Sequence, residues 1–463
     1  MRKNALSRRQ FLALTSAVGV TALAACAAPA AAPAGGSEAA SSPAAASHTV
    51  SHWVYSALPL DRDTLTSVPA DRTENVVQYF DWSAELFEAD NPNVNVQLEY
   101  LPHDQSWFAK LDATLIAGTP PDVVQGPVSE AAKYVPLGAL SPINDYIAPE
   151  IQADLHPAIV AEASFDGDQY LWPWRLSFGG GIQINATTWE ENGVADLLPT
   201  GETRRWLMED FLNAAIANTT DGLYGTVLCT DIHYHITQFM YGFGARLFNE
   251  DETAIALNSP EGVDGLQWIV DLENVHQVAV PGSAIRSAAE AGQIFTEERA
   301  ATYPSQGSGM TPAEFRDNPD FRWYWAPPPN VPGAEPAVMT NIHGHYVFQQ
   351  EDAERTAAAH SWTQYLTRPE ALALTRDAFG MPPALVSLWE EIEDENMRVG
   401  LRFTDIMSTF GRRASAAAIT FSLAPRMLEA ALSGQSTPAE ALAEFEAEGN
   451  RLIEEAIADA EAA

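Results

Sequence analysis

Between residues 50 and 125 the hydrophobic period switches repeatedly between two and about 3.6, and few folds accept that pattern. Residues 50–56 have the β-branched and aromatic content of a strand, and a long polar excursion, 58–73, follows. Residues 74–89 read as an amphipathic helix, with Val77, Phe80, Ala84 and Phe87 near helical spacing, and Asp90-Asn91-Pro92-Asn93 ends it. Val94, Val96 and Leu98 alternate as on a strand, residues 107–117 form a second helix with Leu111 and Leu115 on one face, and residues 122–125 are a short buried strand. Successive strands joined through helices run parallel, so the expected fold class is α/β with a parallel sheet.

The N-terminus reads as an export signal. Arg8 and Arg9 precede Phe11-Leu12, and a weakly apolar run closes on Leu23-Ala24-Ala25-Cys26. Residues 1–25 resemble a twin-arginine-type lipoprotein signal, with Ala13 standing where Lys is usual. Cys26 then becomes the lipid-bearing N-terminus, each buried methylene contributing about 0.8 kcal/mol to membrane attachment. The alternative is that Cys26 merely ends an Ala-rich signal. Residues 26–47 are almost entirely Ala, Pro, Gly and Ser, too poor in large apolar groups for a core, and are expected to be a disordered tether.

No further apolar run reaches 18 residues, so the remainder is expected to be soluble and long enough for two or more domains. The formal charge of −37, from 62 acidic against 25 basic residues, excludes nucleic acid as a partner. After the signal only Lys110 and Lys133 remain as lysines, and the acidic residues are spread as a solvated surface; a saline habitat is the alternative. Cys26 and Cys229 are the sole cysteines, so with Cys26 lipidated no intramolecular disulfide forms and burial must supply stability. Ser259-Pro260-Glu261, Thr311-Pro312-Ala313-Glu314 and Thr437-Pro438-Ala439-Glu440 each read as a capped helix start, the last opening a C-terminal helix striped by Leu442, Phe445, Leu452 and Ile453.

The order of segments resembles the extracellular solute-binding proteins typified by maltose-binding protein, through nearly the whole mature chain. The passages that carry it are 87–96 and 115–124, then 166–174 with Ile184-Asn185 and 189–193, then 244–249 with 257–262, 295–304 and 432–442. The resemblance implies a two-lobe periplasmic-binding-protein fold, discontinuous lobes joined by a hinge, with ligand held in the cleft. Lobe one is expected at 48–173 and 340–400, lobe two at 174–339 and 401–463. The implied function is the substrate-binding component of an ABC importer: a monomer, held extracytoplasmically by its lipid, that captures a small polar solute, a carbohydrate first, without cofactor or metal, and hands it to permease subunits.

Sugar sites combine aromatic platforms with a few aimed hydrogen-bonding groups. Trp53 and Tyr55 end the first strand, at the edge where open α/β sheets bind ligands; Trp53 as core and Tyr55 alone facing out is the alternative. The resemblance places a ligand loop at Gln125 and Gly126. Trp174 and Arg175 lie at the implied hinge, where Arg175 can fork onto vicinal hydroxyls or a carboxylate, stiff hinge packing with a salt bridge being the alternative. Asp231, His233 and Tyr234 follow an expected strand ending at Cys229, where the family's counterpart lies over the ligand; with His235 they are too few on one segment to complete a metal shell. Gln306 is the expected polar contact in the other lobe's loop, Trp323 and Trp325 are core or hinge packing, and alternation sets Asn341, His343 and His345 on one side, with His343 facing ligand.

Two other classes were weighed. A lipid-anchored glycoside hydrolase needs a carboxylate pair, and 62 acidic residues make such a pair uninformative, whereas motifs for nucleophilic, metal-dependent or phosphate chemistry are missing. A receptor-coupled binding protein has the same ligand chemistry and differs only in its partner.

Overall fold

The computed structural model describes residues 48–55, 59–61, 76–101, 106–178, 180–305, 320–379, 381–408, 411 and 415–462. The signal, Cys26, the tether, Gln306 and the cap at Thr311 lie outside them.

The first strand, His48–Val54, runs parallel to Val94–Tyr100 on one side and to Val123–Pro127 on the other. The long strand Val338–Phe348 then lies antiparallel to Val123–Pro127, setting His343 opposite Pro127 and His345 opposite Gln125. Trp172–Phe178 pairs antiparallel with that long strand, and Leu140–Ser141 and Met407–Ser408 complete seven strands. Helix Tyr79–Asp90 buries Tyr79, Phe80, Trp82, Ala84 and Phe87 against this sheet. Its start is later than periodicity predicts: Val76–Gln78, with two β-branched residues, pairs with Pro59–Asp61 as a two-stranded ribbon.

The second unit has a three-stranded antiparallel sheet, with Ile182–Asn185 between Thr302–Pro304 and Trp323–Ala326. Helices Tyr234–Gly242, Pro260–Asn274, Ala424–Leu432 and Pro438–Ala462 join it in one apolar core. The predicted caps form: Ser259 Oγ accepts from Gly262 N at 3.1 Å, and Glu440 closes back on the Thr437 N–H at 3.0 Å. The expected strand ending at Cys229 does not form; residues 227–229 are extended without a ladder, beside an isolated bridge at Thr226.

Two large apolar cores result, one running from Val50 to Leu176 and again from Val338 to Phe403, the other from Ile182 to Ala326 and again from Ile419 to Ile453. Trp174 and Leu176 belong to the first, so the chain changes cores near Gly180 and Gly181, not at 173–174. Gly180 N donates to Met339 O at 3.0 Å, tying the outward crossing to the return. Gly181 has a φ of +145°, and a Cβ there would lie 2.1 Å from Trp325 Nε1. Gln238 holds this glycine from the second unit, accepting from its N–H and donating to its carbonyl at 3.1 Å. Trp325 packs in the first core while the next residue, Ala326, packs in the second. No helix among the described residues is long and apolar enough to cross a membrane.

Candidate ligand site

The C-terminal ends of the parallel strands in the first unit gather most of the sequence-predicted residues. Gln125 Oε1 accepts from Tyr55 N at 3.1 Å, fastening the exit of the first strand to that of its neighbour. The Tyr55 ring stacks on His343, with centroids 5.9 Å apart and planes 8° from parallel, and Trp107 lies 5.9 Å away on a tilt. Gly126 is buried for a packing reason, since a Cβ there would meet the Tyr346 hydroxyl at 2.3 Å. Trp53, one side chain back, is a core residue with the Lys110 ammonium 4.3 Å over its ring, and it does not join the group.

His343 and His345 meet different partners. The ladder to Val123–Pro127 runs unbroken through both, the register to Trp172–Phe178 shifts between His343 and Gly344, where a Cβ would lie 2.2 Å from Trp172 O, and His343 stacks on Tyr55. His345 is fully buried, 3.3 Å from His52 across the strands, and burial drives its pKa down to about 3.

Arg175 sits directly across from His343 in the ladder. Its guanidinium rests 4.8 Å from the Trp174 ring and touches the Met381 sulfur through Nη1. Trp174 is itself wholly buried against Tyr79, Phe80 and His345, so it is a floor under Arg175, not an open platform. The salt bridge weighed for Arg175 does not form with any described residue.

Sequence reasoning missed three buried polar groups next to these. Ser129 Oγ, Glu130 Oε1 and the Tyr346 hydroxyl have no hydrogen-bond partner among the described residues. Burial pushes the Glu130 carboxyl up to about 7, with Lys133 opposing that shift and Asp112 adding to it. Helix Val128–Tyr134, which carries Ser129 and Glu130, packs against Ala416–Ala418 of the second unit, where Ser415 Oγ is also buried and unpartnered. Nothing in the sequence of the run Val123 to Ala132, which also carries Gln125, marks Ser129 or Glu130 as buried.

The predicted residues of the second unit are bound up in their own lobe. Asp231 Oδ1 accepts from Ala288 N at 2.7 Å, at the start of helix Ala288–Thr296. His235 Nδ1 lies 3.4 Å from both Cys229 Sγ and the Tyr303 hydroxyl. Burial holds His233 and His235 neutral, with pKa values near 3, and raises the Cys229 thiol to about 12. The Tyr234 ring stands edge-on to both histidines, and a cavity of about 270 Å³ lined by Gln183, His235, Tyr303 and Ser305 opens beside them. Among the described residues no three His, Cys, Asp or Glu side chains are grouped to hold a metal.

Known proteins place this architecture. An ABC transporter solute-binding protein of Thermotoga lettingae bound with α-D-tagatose is 19% identical, with a TM-score of 0.70 over 88% of this chain and 100% of that one. A cyclic α-maltosyl-1,6-maltose binding protein of Arthrobacter globiformis is 21% identical, with a TM-score of 0.68 over 88% and 98%. The maltotriose binding protein of Thermus thermophilus is 17% identical, with a TM-score of 0.67 over 87% and 100%. These likenesses give the fold, the two-lobe fold of periplasmic solute-binding proteins. A Brucella abortus protein named as a binding protein is 23% identical over 186 residues, so the match spans 40% of this chain and 44% of that relative's length. Residues 82–393, more than half of the 463, match the profile of the bacterial extracellular solute-binding proteins, and the chain belongs to that family.

Proposed function

We propose that this protein is the substrate-binding component of an ABC importer, capturing a small polar solute, a carbohydrate first, between its lobes and delivering it to permease subunits. The observation that carries this reading is the parallel Tyr55–His343 ring pair beside Trp107, with Gln125 at its edge. Sugars offer flat C–H faces to aromatic rings and hydroxyls to amides, and this edge supplies both. The sugar-bound structural relatives support the same class.

Capture needs no bond made or broken. A solute touching both lobes shifts the population from open to closed by the contacts it gains in the closed form, and the closed form docks on the permease. Lobe one comprises 48–178 with 338–408, and lobe two 180–337 with 411–462. Residues 1–25 direct export, and a lipid on Cys26, through the tether 26–47, holds a monomer at the outer face of the membrane.

A thermal-shift screen of the purified protein against saccharides, polyols, amino acids and polyamines tests this. A saccharide present at 100 times its dissociation constant should add about 2.7 kcal/mol to the folded state and be recovered unchanged. Stabilisation by a different solute class alone overturns the carbohydrate assignment, and consumption of a glycoside overturns capture itself.

A further inference from the structure

Three arginines are buried among the described residues: Arg175, Arg204 and Arg286. Arg204 Nη1 donates to Trp325 O at 2.8 Å and to Asn396 Oδ1 at 2.5 Å, and Nη2 lies 3.1 Å from Glu395. Arg286 Nη1 donates to Leu228 O and Val280 O, both at 3.1 Å. Arg175 has only a sulfur and the face of an indole. Its Nε is buried without a partner, and no described carboxylate lies within ion-pair distance.

Burial lowers the Arg175 pKa to about 10, which leaves it cationic at neutral pH. A buried cation without a counterion costs several kcal/mol, and folds with 62 carboxylates available seldom leave one so. With Nη1 against Met381, the Nε–Nη2 edge is the side without a partner among the described residues, and that edge matches the two oxygens of a carboxylate. It lies across from His343, whose ring stacks on Tyr55.

We propose that the captured solute presents a carboxylate to Arg175, so that the ligand class is a sugar acid or a saccharide ending in a uronic acid. A neutral diol would satisfy donors but leave the buried charge uncompensated. This assignment rests on the capture reading above.

Calorimetric titration of the purified full chain at pH 7.5 with glucuronate, galacturonate and a uronate-ended disaccharide, each beside its neutral counterpart and a sulfated or phosphorylated one, decides it. The carboxylate form should bind at least about tenfold tighter than the neutral sugar, and Arg175→Met should weaken it about 100-fold and abolish its preference over the neutral counterpart. Equal or tighter binding of the neutral sugar overturns the assignment and leaves carbohydrate capture standing. Sulfate or phosphate esters binding as well as the carboxylate overturn it too, as does an Arg175→Met variant with unchanged uronate affinity. Should no saccharide of either charge bind while another solute does, the carbohydrate reading falls first and takes this one with it. If Arg175→Met does not fold, the comparison among ligands on the unaltered protein is itself decisive.

Discussion

The two lobes hold their candidate polar groups differently. On the second lobe the segment from Cys229 to His235 closes on itself: Asp231 is spent on a helix N–H, and His235 is wedged between a thiol and a phenol. On the first lobe Arg175, Ser129, Glu130 and Tyr346 keep buried atoms without partners. Both lobes hold buried polar atoms without partners, Asn185 Nδ2, Thr226 Oγ1 and Arg286 Nε among those of the second, and what sets the first apart is a buried guanidinium, Arg175, with no oxygen acceptor among the described residues. This measure favours the first lobe as the recognition face, where seven of the eleven sequence candidates also lie.

Four experiments break or sharpen that contrast. The largest effect is expected at the seam, where Gly181→Ala forces a Cβ at φ +145° into the Trp325 indole. We expect a loss of about 4 kcal/mol or failure to fold; a well-folded variant with unchanged urea midpoint means the lobes are not held in a fixed relation.

Acid unfolding probes the closed side. His233 and His235 have folded pKa values near 3, below the unfolded value of about 6.5, so the unfolded state binds more protons between those limits. Their contribution is whole above pH 6.5 and is lost as pH falls, at about 1.4 kcal/mol per pH unit for each. His235→Gln should flatten the dependence of stability on pH between 6 and 4, and an unchanged slope would show that this histidine is charged in the fold.

Glu130 probes the open side with the opposite sign. Its folded pKa, near 7, exceeds the unfolded carboxylate value, so its penalty appears as pH rises from about 4.5 to 7. Glu130→Gln should stabilise the ligand-free protein by about 1–3 kcal/mol at pH 8 and by almost nothing at pH 4.5. Equal stability at both would mean the carboxyl is solvated. The smallest effect is Asp231→Ala, about 1 kcal/mol lost with solute affinity untouched; an affinity loss instead would return Asp231 to the recognition face.

Much of the architecture was legible because it is local. The caps at Ser259 and Thr437, the stop at Asn91 and the alternation within single strands each rest on residues a few positions apart. The crossing was misplaced because Trp172-Pro173-Trp174 is punctuated like a hinge, whereas Gly180 and Gly181 owe their conformation to Trp325 and Gln238, far along the chain. Asp231 was taken as a ligand contact because its partner, the Ala288 N–H, is 57 positions away. The register shift in Trp172–Phe178 arises where Gly344 meets the Trp172 carbonyl, which no period-two pattern reveals. Glu130 was passed over as one acid among 62, and only its burial distinguishes it.

Each lobe is closed by chain made much later than the chain that opens it. Trp362 donates to His52 across 310 positions at 3.1 Å, Arg355 pairs with Asp122 across 233, and Asn450 accepts from Ile255 N across 195. While it is being synthesised, the molecule therefore has no finished half: the first sheet waits for its long antiparallel strand, and the second core for the C-terminal helix. Such non-local closure makes folding slow and a single late event. A ribosome-bound or truncated product is an open sheet without its cover.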